Sequence, residues 1–129
     1  MSNSGLTKYQ DELLEILVEE CGEIIQEKSK IIRFGIDEDS HHIIGQTHRQ
    51  CLEQELGDML GMIQLLVDSG IGITYNGLQE AADRKKKKVV KWMNHKKPET
   101  NPAIMSVADV MNMAHDMASE QLSSYKDKK

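Results

Sequence analysis

The stretch Leu17-Val18-Glu19-Glu20-Cys21-Gly22-Glu23-Ile24 lies inside a run whose apolar residues, Leu13, Ile16, Leu17, Ile24 and Ile31, recur at three- and four-residue intervals. That period marks one buried face of a helix. The run extends from Thr7 to about Arg33, and Gly35 closes it. Glu20 falls seven residues after Leu13 and four before Ile24, and Glu23 falls seven after Ile16. Both acids therefore stand on the inward side of the helix, where the pattern asks for apolar side chains.

The arrangement recurs in a second helix, from about Gln50 to Asp68, whose inward residues are Leu52, Leu56, Met59, Ile63 and Leu66. Within Glu55-Leu56-Gly57-Asp58, Glu55 is three after Leu52, and Asp58 is four before Met62. A third helix starts near Thr74 or Asn76, carries Leu78, Ala82, Val89 and Trp92 on its apolar side, and stops before Pro98. A fourth begins with Ser106 as cap and Asp109 at the capping-box position, with Val110, Met113, Ala114 and Met117 as its stripe. Residues 35 to 49 read as a loop from which only Ile43 and Ile44 are expected to dip into the core. With 4% aromatic residues and two prolines, the composition favours helix over strand. The expectation is an all-α, four-helix-type bundle: one domain over 1–129, with a core at about 7–95 and an extra C-terminal helix at about 106–125.

A net charge of −5 argues against nucleic acid as the main partner. No run approaches the roughly 18 apolar residues of a membrane span, and Met1–Leu6 lacks the blocks of a signal peptide. Cys21 and Cys51 have no metal-pair spacing, so a reduced, cytoplasmic setting is expected.

Each acid pair is spaced i, i+3, which projects both carboxylates from one face. Surface glutamates usually gain a basic partner four positions on, but here those positions hold Ile24, Glu27, Met59 and Met62. Four acids gathered in a bundle repel one another and are driven to protonate unless a cation sits among them. Oxygen ligands suit a hard divalent ion, Mg²⁺ or Mn²⁺. Gly22 and Gly57 each precede the second acid of a pair. Mid-helix glycine costs about 1 kcal/mol, which close helix approach or room for a ligand would justify.

The paired motifs Glu20-Cys21-Gly22-Glu23 and Glu55-Leu56-Gly57-Asp58, embedded in LVEECGEIIQEKSKIIRFG (17–35) and LEQELGDMLGMIQLLVD (52–68), resemble the all-α NTP pyrophosphatase superfamily, and MazG proteins within it, over about residues 10–95. The resemblance implies hydrolysis between the α- and β-phosphates of a nucleoside triphosphate, giving a monophosphate and pyrophosphate. It also implies a homodimer or homotetramer. Glu20, Glu23, Glu55 and Asp58 become the metal ligands, Glu20 or Glu23 positions or deprotonates the attacking water, and Glu19 is an accessory acid. The family places basic residues on the third helix near the triphosphate, which selects Lys88 and Lys91. Lys85 stands where relatives often carry Asn. Lys30 and Arg33, late in the first helix, are further substrate-binding candidates.

Trp92 or Phe34 could stack on a base, although core filling is the plainer role. His41, His42, His48 and Cys51 fit no common zinc spacing, and the methionines near the last helix read as packing residues. The nearest enzymatic alternative is a phosphoribosyl-ATP pyrophosphohydrolase. From another class, the alternative is a non-catalytic helical interaction protein.

Overall fold

The computed structural model describes residues 3–40, 43–96 and 109–116. Among the described residues the protein is all-α, with four helices and no strand. They are α1 (Lys8–Phe34), α2 (His48–Asp68), α3 (Tyr75–Trp92) and α4 (109–116). The chain forms two compact units, Met1–Ile71 and Gly72–Lys129.

Helices α1 and α2 start on matching capping boxes. The Thr7 hydroxyl accepts from the Gln10 amide at 3.2 Å, and the Gln10 side chain accepts from the Thr7 amide at 3.1 Å. Thr47 and Gln50 repeat this at 3.3 and 2.9 Å. Each box satisfies two of the amides a helix start leaves unpaired. Gly35 ends α1 at φ 101°, a backbone region closed to other residues, while its amide bonds Ile31 O at 2.9 Å.

In the first unit α1 and α2 pack antiparallel. At one end Gln10 Nε2 donates to Ser69 O at 3.0 Å, and at the other His48 meets Glu27. Leu13, Cys51 and Leu66 are buried along this seam. Ile16, Leu17, Ile24 and Ile31 are half-buried, as are Leu52, Met59 and Ile63. Leu56, expected inward, is exposed.

The connection is tighter than a plain loop. Arg49 N bonds Ile36 O at 2.8 Å, His48 N bonds Glu38 O at 3.0 Å, and Ser40 N bonds Gln46 O at 2.7 Å. An isolated bridge joins Asp39 and Thr47. These bonds extend α2 two residues upstream of its expected start. Ile43 and Ile44 do not enter the core: both are exposed, Ile44 fully, because the closing bonds leave them at the loop tip.

In the second unit, Thr74 caps α3 by accepting from Gly77 N at 3.1 Å. Leu78, Ala82 and Val89 are half-buried, and no residue of α3 is fully buried. Trp92 is 78% exposed rather than core-filling, since it is the last residue of the helix. In α4 Met111 is buried and Val110, of the expected stripe, is half-buried, whereas Met113 and Ala114 of that stripe are exposed. The expected cap Ser106 and stripe residue Met117, and His41 and His42, lie outside the described residues.

Candidate metal site

Antiparallel packing brings the middle of α1 against the first half of α2. Glu20 and Glu23 come from α1 and Glu55 from α2, and one carboxylate oxygen of each lies within 4.8 Å of the others. Glu20 and Glu55 are half-buried and Glu23 is exposed, so the trio opens to solvent on one side. These residues stand 32 positions apart in the chain (23 to 55) and meet only through the hairpin.

The charges there are in conflict. Partial burial, then a hydrogen bond with Glu23, then the charges of Glu23, Asp58 and Glu20 push the Glu55 carboxyl up to about 7. Desolvation, followed by Asp58, Glu23 and Glu19, raises Glu20 as well. Asp58 and Glu19 thus act on the trio electrostatically, while the converging ligand atoms are those of Glu20, Glu23 and Glu55. Three oxygens able to reach one point, in a setting that resists full ionisation, suit a hard divalent cation. Such an ion reverses the pressure to protonate.

A cleft of about 290 Å³ adjoins the trio, lined by Glu23, Gln26, Glu27, Lys30 and Glu55. Lys30 is the cation among them, and its Nζ lies 3.0 Å from Glu27 Oε2. A second groove, lined by Ile25, Gln26, Ser29, Lys30, Arg33 and Phe34, shares Gln26 and Lys30 with the first. Arg33 therefore sits one turn beyond Lys30, its guanidinium 5.7 Å from the centre of the Phe34 ring.

Two residues that sequence reasoning missed support this region from beneath. Glu27 and His48 are 2% and 1% exposed, and His48 Nδ1 lies 2.5 Å from Glu27 Oε1. Burial alone would raise the Glu27 carboxyl, but hydrogen bonds to His48 and Lys30 and their charges outweigh it and hold it low. An ionised carboxylate only accepts, so Nδ1 carries the proton. Phe34 stacks on the His48 ring at 5.9 Å between centroids. The available signal was spacing: Glu27 follows Glu20 by seven residues, and His48 precedes Glu55 by seven. This pair is one level of the seam and the acidic trio is the next, two helical turns away.

Gly22 and Gly57 do not serve close helix approach. A Cβ at either would meet nothing within 4 Å, which leaves open space beside the acids. Lys85, Lys88 and Lys91 are exposed residues of α3, in the second unit, whereas the trio is assembled wholly within the first. No helix among the described residues is long and apolar enough to cross a membrane. Compared with known proteins, the chain matches no family model, no curated protein and no solved structure.

Proposed function

We propose that this chain is a Mg²⁺-dependent nucleoside-triphosphate pyrophosphohydrolase of the MazG-like kind. The observation that carries the reading is the convergence of Glu20, Glu23 and Glu55 from two helices onto one point beside a cleft that also holds Lys30. The three carboxylates would hold the ion, with Asp58 adding negative charge at its edge. A bound Mg²⁺, or Mn²⁺ in its place, supplies neutralisation of phosphate charge and a lowered pKa for an attacking water.

Every other role falls to the chain. Glu20 or Glu23 orients the water and takes its proton as the water oxygen bonds to phosphorus. The bond to the oxygen bridging the α- and β-phosphates breaks, and pyrophosphate leaves with the electron pair. Lys30 offers an ammonium to the phosphates from within the cleft, and Arg33 a guanidinium one turn further on. Removal of unwanted nucleotides or control of nucleotide pools is the corresponding role.

The test is pyrophosphate release from a panel of canonical and modified NTPs and dNTPs, with Mg²⁺ and with EDTA. Monophosphate and pyrophosphate formed only with metal support the reading. Orthophosphate as first product means a different bond is cut. Silence across the panel, and with phosphoribosyl-ATP, together with no Mg²⁺ or Mn²⁺ binding by calorimetry, leaves a non-catalytic helical protein.

A further inference from the structure

Lys30 stands where two cavities meet. The cleft of about 290 Å³ beside the acidic trio and the groove of about 270 Å³ that holds Arg33 and Phe34 share Gln26 and Lys30 on their walls. A phosphate chain that starts at the trio and runs towards Arg33 passes the Lys30 ammonium. Lysine is a point charge on a flexible four-carbon stem. Glu23, Glu27 and Glu55 line the cleft with it, so three carboxylates compete for one ammonium.

Glu27 wins that competition. Lys30 Nζ lies 3.0 Å from Glu27 Oε2, with the lysine partly exposed and the glutamate buried. The other oxygen of the same carboxylate, Oε1, accepts from His48 Nδ1 at 2.5 Å. Each Glu27 oxygen thus has its own donor, one from α1 and one from α2. Burial pushes the Glu27 carboxyl up, but the bonds to His48 and Lys30 outweigh it and hold it low. His48 Nε2 has no hydrogen-bond partner among the described residues, where the imidazole therefore has one polar contact, to Glu27. A buried charged pair is a poor device for stability alone, because apolar residues of similar volume often serve as well or better. This pair does what leucines could not: it presents a fixed, ionised oxygen to Lys30. A Lys–Glu pair sets the phosphate-binding lysine of protein kinases in the same manner.

We propose that Glu27 and His48 are positioning residues. His48 fixes the Glu27 carboxylate, and Glu27 fixes the Lys30 ammonium at the junction of cleft and groove, where it meets the substrate's phosphate chain. The phosphate chain rests on the pyrophosphohydrolase reading; the proposal extends that reading to two residues that touch no substrate. An ammonium carries three donors, so Lys30 keeps its bond to Glu27 while it bonds phosphate.

The experiment is calorimetric binding of inorganic pyrophosphate to the full chain at saturating Mg²⁺, with every variant checked for helicity by circular dichroism. Lys30→Met should weaken binding roughly 10- to 100-fold, the loss of a charged hydrogen bond. Glu27→Gln still offers His48 an acceptor but gives Lys30 no charge. It should weaken binding roughly five-fold, as the ammonium regains its rotamer freedom. In the Lys30→Met background, Glu27→Gln should have no further effect, because Glu27 acts through Lys30. His48→Leu should match Glu27→Gln. His48→Asn, which keeps a donor at the Nδ1 position, should restore most of the affinity.

Tighter or unchanged binding in Glu27→Gln overturns the proposal; tighter binding would make Glu27 a competitor of phosphate for Lys30. Equal losses from Glu27→Gln with and without Lys30 also overturn it and leave the buried pair a structural role only. A His48→Asn variant no better than His48→Leu removes His48 from the device. Wild type that does not bind pyrophosphate overturns the proposal as a whole. If it also hydrolyses no triphosphate of the panel, the pyrophosphohydrolase reading falls with it. Should His48→Leu fail to fold, the Glu27 and Lys30 variants, single and combined, decide alone.

Discussion

Glu55 is the residue whose chemistry reports most directly on the site. A carboxyl raised to about 7 in the folded chain and near 4.5 when unfolded binds more protons in the native state across that window. Stability of the metal-free chain must then fall as pH rises from about 4.5 to about 7. Glu55→Gln removes the penalty: after allowance for solvent screening it should add ~1–2 kcal/mol above pH 7, while abolishing turnover. Thermal melts in EDTA at pH 5 and pH 8 check this, and parallel pH profiles for wild type and variant would refute it. Mg²⁺ should raise Tm more at pH 8 than at pH 5, where protonated carboxyls compete with it. Glu27 has the opposite sign. Its lowered carboxyl contributes stability that is complete above 4.5 and lost as pH falls through its folded value. Removing one partner of a buried pair costs about 3–5 kcal/mol, so Glu27→Ala and His48→Ala should each lose about that in denaturant melts. Lys30→Met, with its head partly in solvent, should cost little stability.

Helices α1, α2 and α3 were readable because their ends are written in side chains. Thr7, Thr47 and Thr74 accept backbone amides, and Gly35 takes a φ of 101°. Thr47→Ala should cost about 1 kcal/mol, measured as a shift in Tm. Gly35→Ala should cost more, because it strains a positive-φ site and sets a Cβ 3.3 Å from Glu38 Cγ. Gly57→Ala is the reverse case. With nothing within 4 Å to obstruct the new methyl, the chain should gain about 1 kcal/mol of helix propensity. Loss of activity without loss of stability in that variant would mark the space beside Asp58 as functional. The start of α2 was placed about two residues late although Thr47 and Gln50 spell its capping box; the carbonyls of Ile36 and Glu38 also accept the amides of its first turn.

At the scale of the whole molecule, turnover should require metal and all three converging acids. Single substitutions to Gln at Glu20, Glu23 or Glu55 should each remove pyrophosphate release while leaving the far-UV helical signal nearly intact; full activity in any one would expel that residue from the site. The sequence by itself determined the helical class, the ends of α1, the start of α3 to within two residues, and the i, i+3 spacing of the two acid pairs, of which Glu20 and Glu55 are half-buried while Glu23 and Asp58 are exposed. Those are consequences of local period and capping, which neighbours a few residues apart settle between themselves. It gathered all four acids, where the ligand atoms of Glu20, Glu23 and Glu55 converge; it turned Leu56, Ile43 and Trp92 inward, where they are exposed; and it did not pick out the burial of Glu27 against His48. These depend on residues far apart in the chain, brought side by side or left uncovered only when α1 and α2 pack. Period places a residue on a face; tertiary packing alone decides what that face touches, and so which charges must share a site.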